Sequence, residues 1–84
     1  MEKRVYDTRV ADLITWQNLP TELQQRFTRY EVDTILEMKF IADDENVYQT
    51  VKLCGKKGLE VTEEEVQAVM KAEEVYLRMI EVMD

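Results

Sequence analysis

From Thr62 to about Met83 the chain runs without glycine or proline and reads as one amphipathic helix. Thr62 and Glu65 have the spacing of a capping box. In that motif the hydroxyl accepts from the amide three residues on, and the carboxylate accepts from the threonine amide. Val61 and Val66 stand where a hydrophobic staple would close around the start. Glu63, Glu64 and Glu65 complement the positive pole of the first turn. At ~1.5 Å per residue this helix is roughly 30 Å long, so the rest of a small chain must be arranged around it.

Its faces are unequal. Gln67, Lys71, Glu74, Arg78 and Glu81 share a polar arc, and Val66, Val69, Met70, Tyr76, Leu77 and Ile80 form an apolar stripe. Ala68, Ala72, Val75, Met79 and Val82 form a second stripe that nearly joins the first. Together the stripes cover about two-thirds of the helix, where a helix on one side of a core shows little more than ~100°. Either the helix is central and wrapped by the others, or the second stripe meets another chain. Ala68 and Ala72 would then allow close approach, with Val75 and Met79 supplying burial. A second copy is the simplest partner, because identical patches close by two-fold symmetry. Glu73 falls inside the first stripe, where a carboxylate is costly unless paired. The expected solutions are escape at the domain edge or acceptance from Tyr30, Tyr48, Trp16 or an arginine. A catalytic role for Glu73 lacks an identifiable second group.

The earlier part of the chain also reads as helical. Asp7 or Thr8 caps a helix to Trp16 with Val10, Leu13 and Ile14 on one face. Asn18-Leu19-Pro20-Thr21 breaks it and starts another, with Leu23, Phe27 and Tyr30 on one face. Thr28 and Glu31 offer a capping box for a further helix, or lie inside a longer one. Val32, Ile35, Leu36 and Lys39 continue a helical stripe. A β-hairpin across residues 31–54 is the rival reading, since Val32, Thr34, Leu36, Met38 and Phe40 alternate and could face Val47, Val51 and Leu53. Ile35 and Ile41 spoil its polar face, and its turn lacks the Asn-Gly or Asp-Gly pair that hairpins prefer. Asp43, Asp44 and Asn46 offer caps for a short helix through Cys54, with Gly55 as the residue after its end. The expectation is one all-α domain over residues 1–84, a small bundle of four or five helices with a long C-terminal helix. The alternative is an α+β fold with the hairpin.

Composition limits the chemistry. With 84 residues, two glycines and one proline, there is little turn chemistry for many strands. The chain has no histidine and a single cysteine, Cys54, so neither an internal disulfide nor a structural zinc site is expected. The cluster Asp43-Asp44-Glu45-Asn46 lacks the alternating ligands, glycine and distal glutamate of a calcium loop. Gly55-Lys56-Lys57-Gly58 is too short for a phosphate loop. No catalytic, cofactor or metal residues are expected. The N-terminus lacks a signal-like apolar core, and no apolar run approaches the ~20 residues of a membrane span, so a cytoplasmic location is expected.

The net charge of −7 disfavours general nucleic-acid affinity. Residues 31–45 and 60–84 are acidic, while Lys52, Lys56 and Lys57 form a basic island between them. That island supports an alternative: a DNA-associated transcriptional regulator with a helix-turn-helix-like 44–83 segment, aided by Lys3, Arg4 and Arg9. The three glutamates opening its second helix have the wrong sign for such a role. The favoured expectation is a non-enzymatic protein–protein interaction module (regulator, adaptor or inhibitor). It would act through the second stripe (Ala68, Ala72, Val75, Met79 and Val82), on itself as a homodimer or on another protein. An acidic surface suits a basic partner, although it also serves solubility alone.

Overall fold

The capping box at Thr62 forms as its spacing predicts. The Thr62 amide donates to Glu65 Oε1 at 2.9 Å, and the Glu65 amide donates to Thr62 Oγ1 at 3.1 Å. From there the longest helix runs to Val82. The computed structural model describes residues 6–42 and 46–82, apart from the side chain of Val82. It contains α1 (Thr8–Gln17), α2 (Thr21–Arg26), α3 (Arg29–Ile41), α4 (Val47–Lys56) and α5 (Glu63–Val82). There is no strand among the described residues, so the hairpin alternative for 31–54 is replaced by α3 and α4. The chain is all-α.

Local chemistry accounts for each boundary. Asp7 caps α1 by accepting from the Arg9 amide at 3.0 Å. Asn18 and Gln24 close the end of α1 by donating side-chain amides to Ile14, Trp16 and Gln17 carbonyls. Pro20, in extended conformation, precedes α2. Phe27 is extended, and it is buried while its carbonyl accepts from Trp16 Nε1 at 2.7 Å. Both halves of the Thr28/Glu31 box are made, so α3 starts there and is not a continuation of α2. Asn46 caps α4 through the Gln49 amide; Asp43 and Asp44, the other expected caps, lie outside the described residues.

The end of α4 differs from expectation. Gly55 stays within the helix, and Gly58 takes the left-handed conformation at φ 86°. The Leu59 amide donates to the Cys54 carbonyl at 2.9 Å and the Gly58 amide to the Gly55 carbonyl at 3.0 Å. This pair of bonds is a Schellman motif. The half-buried Leu59 then packs against the core that contains Cys54. Of the two glycines, the one followed by an apolar residue ends the helix, because that residue anchors the exit.

The core gathers Phe27, Val32, Ile35, Leu36, Met38, Cys54, Val66, Val69, Ala72 and Tyr76. Helix α5 packs on α1, α3 and α4, with α1 its most extensive neighbour. The inner face of α1 is rotated from the one its large residues suggest: Ile14 packs on the core, but the deepest positions are smaller residues. Ala11 and Thr15 are fully buried and Val10 is 40% exposed. Small residues on the inner face allow the close α1–α5 approach. No helix among the described residues is long and apolar enough to cross a membrane.

Candidate functional site

Two places on α5 carry unusual chemistry, one inside and one outside. The inner one is Glu73, 1% exposed. Its Oε1 pairs with Lys39 Nζ, and its Oε2 accepts from the Tyr6 hydroxyl at 2.5 Å. Neither the domain edge nor the donors expected from the sequence solve its burial. Tyr30 and Tyr48 are exposed, Trp16 donates to Phe27, and the basic partner is a lysine. Lys39 lies in the apolar stripe of α3, and its aliphatic stem lets it reach from there. The Lys39 ammonium also sits 4.9 Å from the Phe40 ring centroid. Tyr6 stacks edge-on with Phe40 and Tyr76, at 5.2 and 5.4 Å between centroids. Tyr76 in turn accepts from the Asp7 amide at 3.1 Å. Burial first, then its bond to Glu73, pushes the Tyr6 hydroxyl well above the usual tyrosine range. Both Glu73 oxygens are engaged, so the cluster has the character of an internal fastening that ties the N-terminal segment, α3 and α5 together.

The outer place is the second stripe. Ala72 is 5% exposed and Ala68 half-buried, whereas Val75 and Met79 are 37% and 43% exposed. The side chain of Val82 lies outside the described residues. A groove of about 400 Å³ runs between α5 and the α1–α2 corner. Asn18 and Pro20 form one wall, and Ala68, Ala72 and Val75 the other, with Lys71, Glu74 and Arg78 along the edge. The width of the apolar arc thus has two causes: the first stripe and Ala72 are covered by other helices, while Val75 and Met79 remain at the surface.

The basic island sits at the end of α4, with Lys52 and Lys56 one turn apart and Lys57 at the cap. Lys52, Lys56 and Lys57 are all exposed, but Lys52 lies over the Tyr48 ring at 5.4 Å. Lys57 lines a second groove with Glu31 and Glu37, whose carboxylates oppose anion binding there. Lys3 and Arg4 lie outside the described residues. Among the described residues no group of three or more His, Cys, Asp or Glu could hold a metal ion; Asp43, Asp44 and Glu45 of the acidic cluster lie outside them. Cys54 is fully buried, and that burial pushes its thiol pKa up.

Sequence reasoning missed the Lys39–Glu73 pairing, although both members were visible as single charges inside apolar stripes. No protein-family model, curated protein or solved structure matches the chain.

Proposed function

We propose that this protein acts by binding another protein chain through the outer face of α5, as a regulator, adaptor or inhibitor, and not by catalysis. The observation that carries this reading is the exposure of Val75 and Met79 beside the Ala68/Ala72 groove. Apolar groups at the mouth of a preformed groove lose unfavourable hydration when a partner covers them. The charged edge, with Lys71, Glu74 and Arg78, supplies the polar rim of a specific interface. DNA association through 44–83 has weaker support. The first turn of α5 is acidic, its Val66 and Val69 are buried, and Lys57 faces carboxylates.

The test is a photo-reactive residue placed singly at Val75, at Met79 and, as a control, at the exposed Glu22 of α2, in cells making the protein. A discrete protein adduct at positions 75 and 79, absent at 22, is the expected result. Uniform or absent labelling would remove this reading.

A further inference from the structure

Resting on that reading of the α5 face, we infer that its occupant is a second copy of this chain, lying antiparallel about position 76. The reason is the order of charge along the exposed arc. Lys71, Glu74, Arg78 and Glu81 are all exposed and alternate in sign. Positions 71 and 81, and likewise 74 and 78, are equally spaced about 76. Reversing the helix therefore brings Lys71 opposite Glu81 and Glu74 opposite Arg78, and two-fold symmetry repeats both pairs.

The orientation of the pair follows from which flank meets which. In an antiparallel helix pair, each flank of the contact line meets the same flank of the other helix, so the charged arc would meet itself. In a parallel pair it would meet the opposite flank, where Ala72 and Met79 offer the charges no partner. The antiparallel arrangement also brings Met79 of the second copy to the level of position 73, within one residue of Ala72 on the groove wall. Val75 lies close to the axis, where its burial is shared by both chains. Charge balance points to the same face. Two chains of net charge −7 repel in general. Lys71 and Arg78 are the basic residues of 60–84, and both stand on this arc. With Glu74 and Glu81 they make the arc locally neutral, so it adds no net repulsion of its own.

The deciding experiment is sedimentation equilibrium on the full chain, with helicity checked by circular dichroism, for wild type, Glu74→Arg, Arg78→Glu and the double swap. Each single reversal sets like charges opposite one another twice. It should weaken the dimer by about tenfold or more, equal to roughly 1.4 kcal/mol. The swap restores both pairs and should recover affinity close to wild type with unchanged helicity. A monomeric wild type, a dimer indifferent to the single reversals, or a swap no better than its parents would each overturn the second copy as occupant. In the photo-crosslinking experiment an adduct at twice the chain mass supports it. A heterologous adduct with no self-adduct overturns it while leaving the docking face standing.

Discussion

Helix α5 is fastened to the bundle by two of its glutamates, and they make the same kind of bond in opposite surroundings. Glu65 meets Arg26 at the rim, with side chains 16% and 45% exposed. Glu73 meets Lys39 in the interior, with side chains 2% and 8% exposed. Arg26 also donates to the Glu60 carbonyl, so the rim contact sits beside the entry to α5. At the rim, water and salt compete with the pair, and the same carboxylate also completes the capping box at Thr62. In the interior neither charge has water to return to. The interior pair was costly to form and is far costlier to break on one side.

Glu73→Gln is the sharpest way to break this contrast. It keeps the side-chain shape but removes the charge paired with Lys39, and should cost about 3–5 kcal/mol in urea unfolding. Replacing both partners, as Lys39→Met with Glu73→Leu, should recover part of that loss: no counter-charge is then needed, but the Tyr6 hydroxyl still loses its acceptor. A double variant no more stable than the single one would show that the pair itself is not the source.

Tyr6→Phe comes next. It retains the ring contacts with Phe40 and Tyr76 while deleting a hydrogen bond to a charged acceptor, a loss of about 1.5–3 kcal/mol. It should also change the alkaline limb of a stability–pH profile. The folded Tyr6 pKa is raised, so its contribution is complete below the ordinary value of 10.0 and declines as pH rises above it, where the unfolded chain ionises first. The variant should flatten that decline in part; Cys54, also raised, contributes to the same limb and remains.

The rim gives the smaller effects. Thr62→Ala removes one half of the capping box and should cost about 1 kcal/mol. Arg26→Gln should do less than Thr62→Ala and fade further in high salt. On Glu65, burial pushes the carboxyl upward, but the Arg26 and Thr62 hydrogen bonds outweigh it and hold the pKa below the ordinary 4.5. Its contribution is therefore present above 4.5 and lost as pH falls through the lower folded value. Arg26→Gln should reduce the acid sensitivity that Glu65 contributes. An Arg26 effect larger than that of Thr62 would reverse the ranking of cap and ion pair at this end.

The same contrast separates what the sequence states from what only the fold decides. The capping boxes at Thr28/Glu31 and Thr62/Glu65 are complete within four residues, so their geometry follows once the helix forms. Lys39 and Glu73 each break an apolar stripe in sequence, but their meeting depends on how α3 and α5 cross. Gly55 and Gly58 are equally able to end α4, and the choice rests on Leu59 finding the core. On α1 the larger residues placed the inner face only in part: Ile14 packs on the core, but the fully buried positions are Ala11 and Thr15, and Val10 faces out. Likewise the breadth of the α5 arc is plain from the residues, yet its division into covered Ala72 and exposed Val75 and Met79 depends on where α1 and the α1–α2 corner lie.

The sealed position of Cys54 makes the molecule its own reporter. It is the chain's single thiol, fully buried in α4 and leading into the Schellman exit at Gly58. A thiol-reactive probe therefore gains access when α4 opens, and the labelling rate measures the free energy of that opening under native conditions. Were α4 to separate before the rest, labelling would report a smaller free energy than urea does. Were the bundle to open only as a whole, the two values would coincide, and Glu73→Gln would accelerate the chemistry at a sulfur on another helix.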